Sequence, residues 1–332
     1  NSFLYRPISS RIIIQYHIHK GHRTLKFRQT SKKKKTISII LFVFALVVLG
    51  VGIYAYVIYH SFDQAIDTMH EPVQSESEHR PEPVVVEEQE PFSVLLLGVD
   101  ERDYDSGRSD TIIVLTVNPN KETIKMLSIP RDTRTEIIGK GSTEKINHAY
   151  AHGGVEMAMD TVESFLKIPI DYFVQINMDG FKDIVDAVDG VTVNNDMDLT
   201  YGNHHFPEGE VTLTGEEALV FSRIRKEDPR GDFGRQLRQK QVIQAVINEG
   251  VSVSSLWNFQ DIFEAIGGNI KTNMAFKEMV TMQQQYSGIS TQIEQLQFEN
   301  GSGGYVGNLW YYFPDEDELA DYQQMLREHL EL

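Results

Sequence analysis

The sequence predicts an α/β domain built on a mixed sheet, and three observations carry that reading. Short apolar runs bounded by turn residues recur between positions 93 and 177, as buried strands do. Two of these runs, within residues 111–129, flank Asn118-Pro119-Asn120-Lys121, the composition of a hairpin turn, so part of the sheet must be antiparallel. Stretches with helical periodicity are interleaved with the strands rather than segregated from them, which marks the α/β class.

The elements follow in order. Residues 93–99 read as a buried strand, and residues 111–117 and 123–129 as the two arms of the hairpin. Helical patterns cover 145–152 and 155–166, a strand 172–177, and helices 181–188, 215–221 and 234–249. From Val251 onward the pattern weakens, with a strand over 292–298 and a closing helix over 315–330. No internal repeat is present.

The net charge of −17 is unevenly distributed. Residues 1–35 hold ten Lys or Arg and no acid, so the other 21 bases face 48 acids, a balance of −27. A body this acidic repels phosphate at long range and is a poor general nucleic-acid binder. There is no cysteine, which excludes disulfides, thiolate metal sites and thiol nucleophiles. Residues 36–59 contain no charge and are rich in Ile, Leu, Val and Phe, long enough to span a bilayer and ending in Tyr54, Tyr56 and Tyr59. A cleaved signal peptide would have a shorter apolar region and small residues at its end. Lys32–Lys35 precede the run and no Lys or Arg follows before Arg80, so the positive-inside rule puts the N-terminus in the cytoplasm and the body outside. The expected organisation is therefore a basic cytoplasmic tail (1–35), a single transmembrane helix (36–59), an acidic, Pro-containing linker (60–91), a folded core (92–250) and a C-terminal part of the same extracytoplasmic domain (251–332). Residues 1–30 receive no functional reading.

Three clusters carry chemistry. Gly98-Val99-Asp100 ends one strand and Gly107-Arg108-Ser109-Asp110-Thr111 leads into the next. Two carboxylates meeting at strand ends repel one another unless a cation or proton intervenes, and oxygen-only ligands suit Mg²⁺ with substrate phosphate. Taken singly, each Asp also reads as a turn cap. Ser128-Ile129-Pro130-Arg131-Asp132-Thr133-Arg134 lies at the end of another strand, where Arg131 either faces the same rim or pairs on the surface with Asp132 or Asp103. In the third cluster, Arg223 and Arg225 share a face only in extended chain, so they belong where a helix ends. Arg235, Arg238 and Gln239 fall at i, i+3 and i+4, on one face of the first turns of a helix, where free N–H groups favour anions. Asp232 either caps that helix or acts in the site. The planar guanidinium pairs phosphate oxygens two at a time, so Arg108, Arg131, Arg134, Arg223, Arg225, Arg235 and Arg238 together suggest a multiply charged phosphate ligand. Read from the residues alone, this is a metal-assisted site for a pyrophosphate-like anion.

These motifs, with Lys145-Ile146-Asn147-His148-Ala149-Tyr150 and Asp232-Phe233-Gly234-Arg235, resemble the LytR-CpsA-Psr family over about residues 92–246. The resemblance implies an α/β/α sandwich with a mixed central sheet, an apolar tunnel for a polyprenyl chain, and a membrane anchor. It implies Mg²⁺ on Asp100 and Asp110. It also implies pyrophosphate binding by Arg108, Arg131, Lys145, Arg223, Arg225, Arg235, Arg238 and Gln239, with Arg131 and Asp232 as catalytic residues. The implied reaction moves an anionic glycopolymer, teichoic-acid or capsule-like, from polyprenyl pyrophosphate to a peptidoglycan hydroxyl, expected to be the muramic acid 6-hydroxyl. The proton acceptor is either Asp232 or a metal-bound carboxylate. Hydrolysis of the same pyrophosphate would use water at the same site. A membrane-bound transcriptional regulator would need a DNA-binding domain, and the basic tail has no helix-turn-helix pattern. A wall-binding module without catalysis would not require paired carboxylates.

Overall fold

The computed structural model describes Leu49 and residues 69–73, 77–100, 107–252, 268–286 and 293–332. The chain falls into two units, Asn1–His60 and Ser61–Leu332, and everything that follows concerns the second. The expected basic tail and transmembrane helix lie outside the described residues, Leu49 apart. Among the described residues no helix is long and apolar enough to cross a membrane.

The first half comprises β1 (Phe92–Val99), β2 (Ser109–Asn118), β3 (Thr123–Ser128), β4 (Arg134–Ile137), β5 (Ser142–Lys145), α1 (His148–Leu166), β6 (Tyr172–Ile176) and α2 (Met178–Ala187). Four short strands follow, β7 (Val191–Asn195), β8 (Leu199–Tyr201), β9 (His204–Phe206) and β10 (Gly209–Leu213), and then α3 (Gly215–Arg223) and α4 (Asp232–Ser252). The chain ends with β11 (Ile270–Thr272), α5 (Phe276–Gln285), β12 (Ile293–Gln297), β13 (Ser302–Val306), β14 (Leu309–Phe313) and α6 (Glu316–His329).

Six strands form the central sheet in the order β11-β6-β1-β2-β3-β12. The pairs β1–β6 and β3–β12 are parallel, and the other three are antiparallel. The alternation along β1 decides the layers. Leu95, Leu97 and Val99 face one side, joined by Ile112, Val114 and Leu127, and are covered by α1 and by Leu326 of α6. Val94 faces the other side with Ile113, Leu115 and Met126, against Ile243 and Ile247 of α4 and Met279 and Met282 of α5. Each such side chain, fully buried, contributes roughly 1.5–3 kcal/mol, so the two apolar faces hold the three layers together. A third cluster, with Val185, Phe221, Ile224 and Val242, packs α2, α3 and α4 beside the small strands β7–β10.

Several boundaries differ from the sequence reading. The two helices expected over 145–152 and 155–166 form one element, α1, broken by non-helical backbone at Gly153 and Gly154. The closing helix is capped by Asp315, whose carboxylate accepts from the N–H groups of Asp317 and Glu318. The acidic linker needs a larger correction, because its described part packs on the domain. Met69 is buried beside Ile270, Glu71 N donates to Thr272 O at 2.8 Å, and Arg80 pairs with Asp171 at 2.9 Å. Val86 is buried, and Tyr286 Oη donates to its carbonyl at 3.2 Å. The composition is that of a stalk, but Met69 and Val86, with Glu71 and Arg80, dock on the domain. Residues 251–332 complete the domain, since β11 and β12 are the two edges of the central sheet.

Candidate active site

The β1–β2 ladder places the two expected carboxylates on the border of one cavity. In its register Gly98 pairs with Thr111 but Val99 pairs with Ser109, so Asp110 is the extra residue of a β-bulge. A bulge re-aims the side chain it carries. Strict alternation would turn Asp110 away from Thr111, yet both border the same cavity. Gly98 is required here: a Cβ on it would lie 2.9 Å from Thr111 Cβ. Asp100 is one residue past β1, and its N–H reaches Arg108 O at 3.5 Å. Asp110 thus lies inside β2, which starts two residues earlier than the sequence pattern indicates.

Asp100 and Asp110 border a cavity of about 460 Å³ between the sheet and helices α2, α3 and α4. The lining changes character along each element. On α4 it runs from Arg235 and Gln239 to Val242, Ile243, Val246 and Ile247, a rise of roughly 18 Å at 1.5 Å per residue. On β1 it runs from Asp100 back to Leu96, and on β2 from Asp110 to Leu115. Arg223 enters from the C-terminal end of α3, while Phe181 and Ile184 of α2 line the apolar part. The cavity therefore has a charged mouth and an apolar body, the shape of a site for an amphiphile.

A small polar niche adjoins the mouth and shares Asp110, Thr111, Arg235 and Gln239 with the cavity. Arg131 and Asp232 also line it. Arg131 donates to Asp110 at 2.7 Å and lies 3.8 Å from Asp132. Burial works against its charge, but Asp110, Asp132 and Asp232 outweigh this and hold its pKa above the ordinary value. Asp232 accepts from Arg235 at 2.7 Å and lies 3.7 Å from Arg225. Arg235 shifts the other way: burial, with Arg131 and Arg225 nearby, pulls it below the usual guanidinium range despite Asp232. Arg235 Nε, Ser128 Oγ and Gln236 Oε1 are buried without a hydrogen-bond partner among the described residues, and all three residues line the niche. Buried polar groups are rarely left unsatisfied, so this cluster points to a polar ligand.

Of the expected site residues, the fold gathers Asp100, Asp110, Arg131, Arg223, Arg225, Asp232, Arg235 and Gln239 around the mouth. Arg108 is exposed on the approach to β2 and lines neither space. Lys145 is one step removed. It pairs with Asp132 at 2.6 Å and its ammonium lies 5.8 Å from the centre of the Tyr311 ring. Arg134 is exposed on β4.

Arg238 is a correction. Its side chain is 1% exposed, with Nη1 donating to Asp228 Oδ2 at 2.5 Å, Nε to Phe221 O at 3.1 Å, and Nη2 to Ile224 O. It serves as a cap for the last carbonyls of α3. The i, i+3, i+4 spacing put it on the face of Arg235 and Gln239, but Arg238 and Gln239 point about 100° apart, and α3 packs on the Arg238 side. Sequence reading also missed Asp228, which sits in a charged Pro-containing loop that looks like exposed turn. Burial favours its protonated form, yet hydrogen bonds from Arg230 and Arg238 hold its pKa down to about 2. Gly234 makes room for it, since a Cβ there would meet Asp228 Oδ2 at 1.9 Å. Through Arg238, Asp228 fixes the segment that carries Arg223 and Arg225. Ser128, Thr111 and Gln236 were missed as well. Thr111 and Ser128 stand in the strand-end motifs but received no role there, and Gln236, one helical turn after Asp232, had a spacing that could have flagged it; its Nε2 donates to Asp232 Oδ2 at 3.1 Å.

The donor set fits a hard divalent ion. Asp100 and Asp110 would offer carboxylate oxygens at a rim rich in guanidinium groups, and Mg²⁺ typically takes one or two carboxylates with phosphate oxygens and water.

The chain is similar to several known proteins. A protein from Bacillus mycoides named polyisoprenyl-teichoic acid–peptidoglycan teichoic acid transferase TagU is 48% identical over 301 residues, covering 90% of this chain and 99% of that protein. The crystal structure of Bacillus subtilis TagU is 48% identical with a TM-score of 0.61, covering 73% of this chain and 98% of that one. A structure described as TagT bound to LIIa-WTA has a TM-score of 0.68 at 31% identity, covering 79% of this chain and 100% of that one. Residues 54–328 match the model of the LytR_cpsA_psr family. The chain belongs to the LytR-CpsA-Psr family.

Proposed function

We propose that this protein transfers an anionic glycopolymer from polyprenyl pyrophosphate to a hydroxyl of peptidoglycan, the muramic acid 6-hydroxyl being the expected acceptor. The observation that carries the reading is the cavity whose apolar body opens onto a mouth of Asp100, Asp110, Arg223, Arg235 and Gln239. A polyprenyl chain suits the body and a pyrophosphate suits the mouth. The names of the relatives, polyisoprenyl-teichoic acid–peptidoglycan teichoic acid transferases, support the same donor and acceptor.

The chemistry follows from the side chains. The acceptor oxygen bonds to the sugar-linked phosphorus, and the bond from that phosphorus to the bridging oxygen breaks, so polyprenyl phosphate leaves. Arg131 and Arg235 neutralise charge on the bridging and leaving oxygens, and their fixed positions avoid reorganisation during the reaction. Arg223 and Arg225 hold the outer phosphate oxygens. To do so, Arg131 and Arg235 exchange part of their contact with Asp110 and Asp232 for phosphate. Asp232, released from Arg235, is placed to take the acceptor proton. Asp100 and Asp110 would hold Mg²⁺, which supplies further charge neutralisation at the phosphates. Residues 36–59 anchor the chain in the membrane with the domain outside, within reach of a lipid-borne donor.

Mass spectrometry of lipid co-purified with the full chain tests the reading. A bound polyprenyl phosphate or pyrophosphate is expected. Recovery of ordinary phospholipid alone, with no competition by added polyprenyl phosphate, would contradict it.

A further inference from the structure

Glu144, on β5, and His148 and His152, at the start of α1, take no part in the site above. One ligand atom from each lies within 4.8 Å of the other two. Glu144 Oε2 is 2.9 Å from His148 Nδ1 and 3.1 Å from His152 Nε2. The two rings are 6.1 Å apart and nearly perpendicular, at 88°. Their i, i+4 spacing puts both imidazoles on one helix face, and β5 presents the carboxylate to them. Ser142 Oγ donates to Glu144 Oε1 at 2.8 Å and orients the carboxylate.

A cation already touches two members of this group. Lys140 Nζ lies 2.7 Å from Glu144 Oε1 and 2.6 Å from His152 Nε2. Two imidazoles and one carboxylate form a nitrogen-rich set that suits zinc and leaves a fourth position open, whereas Mg²⁺ prefers oxygen. Tetrahedral bonds of roughly 2.0–2.2 Å separate neighbouring ligand atoms by roughly 3.3 Å. The observed nitrogen–oxygen separations need to widen by only a few tenths of an ångström.

We propose that Glu144, His148 and His152 form a zinc site, with the Lys140 ammonium standing in for the ion until zinc displaces it. The site lies on a different group of residues from the carboxylates expected to hold Mg²⁺. Its placement gives it a role. Zinc there would fasten the β4–β5 hairpin to α1, and the neighbour of Glu144 on that hairpin, Lys145, grips Asp132 beside Arg131. The ion would act as a clamp on the loop that carries Arg131, without touching the substrate.

The test is isothermal titration of Zn²⁺ into the full chain in detergent, after chelator treatment and in excess Mg²⁺. A saturable zinc site is expected, weakened 10-fold or more in His148→Ala and in His152→Ala, and tightened in Lys140→Met. All three side chains are at least partly exposed, and the gain in Lys140→Met cannot come from misfolding. Absence of zinc binding in the wild type, unchanged affinity in both histidine variants, or no tightening in Lys140→Met would overturn the proposal.

Discussion

Replacing Arg238 by Met separates a structural arginine from the arginines at the cavity mouth. The guanidinium is 1% exposed and serves three acceptors at once: the Asp228 carboxylate, Phe221 O and Ile224 O. Methionine fills most of the volume but donates nothing. Breaking one side of a buried ion pair costs roughly 3–5 kcal/mol, and each carbonyl stranded without a donor costs roughly 1–3 kcal/mol. Asp228 keeps the Arg230 Nη2 contact at 2.9 Å, and the Arg230 backbone N–H donates to Asp228 Oδ1 at 2.8 Å, which limits the carboxylate's loss. A net destabilisation of about 3–5 kcal/mol is therefore expected. Urea denaturation of the purified domain reads it directly, as a lower midpoint with an unchanged slope. Turnover per folded molecule should fall as well, because the segment bearing Arg223 and Arg225 loses its tether, but melting should fall first and most. If Arg238→Met unfolds at the wild-type urea concentration and only turnover is lost, Arg238 is a ligand-binding residue and the clamp is wrong.

Three further outcomes are expected. Arg223→Lys and Arg225→Lys keep charge but lose the planar fork, so each should lower turnover of a polyprenyl-pyrophosphate glycan roughly 10-fold or more with melting unchanged. A drop in melting temperature with turnover preserved would assign them to surface ion pairs instead. Asp100→Ala and Asp110→Ala should each remove the dependence of turnover on divalent ions, while the partly exposed Asp110–Arg131 pair limits the stability cost of Asp110→Ala to about 1 kcal/mol; full Mg²⁺-stimulated turnover in either variant would refute the carboxylate assignment. His329 is buried between Thr116 Oγ1 at 2.8 Å and Thr123 Oγ1 at 2.9 Å, and burial, with Lys125 and Lys121, pushes its pKa down to about 4. The unfolded chain takes up that proton first, so its contribution is fully present above about pH 6.5 and is lost as pH falls to about 4, a change of about 3 kcal/mol. His329→Gln should flatten stability across that window relative to the wild type; parallel pH curves for the two proteins would show that His329 does not titrate as described.

The parts of the fold legible in the sequence were those written in local pattern. The hairpin of β2 and β3 announces itself through Asn118-Pro119-Asn120-Lys121, and Arg223 sits at the end of its helix as the spacing with Arg225 requires. What sequence could not supply was register and helix facing. The bulge at Asp110 depends on how β1 meets β2, and no local property of Asp110 marks it. Arg238 and Arg235 look equivalent as letters, and only the packing of α3 sends one inward and leaves the other at the mouth. The cavity was equally hidden, because Val242, Ile243 and Val246 have the same composition whether they pack against a core or border a space. Of the small strands, β8 and β9 have three residues each, too few for periodicity to show, while β7 and β10 are as long as β6 and carry an alternation that the sequence reading passed over.

The central claim is that the rim of Asp100, Asp110, Arg131, Asp232 and Arg235 carries out phosphoryl transfer. It is tested most directly by incubating the full chain with a polyprenyl-pyrophosphate-linked glycopolymer, Mg²⁺ and peptidoglycan, and following both products by mass spectrometry. The account predicts release of polyprenyl phosphate in equal amount with a new phosphodiester between glycopolymer and peptidoglycan, both lost in Arg131→Ala. Release of polyprenyl phosphate with free phosphorylated glycan and no linkage to peptidoglycan, or transfer that persists undiminished in Arg131→Ala, would contradict it.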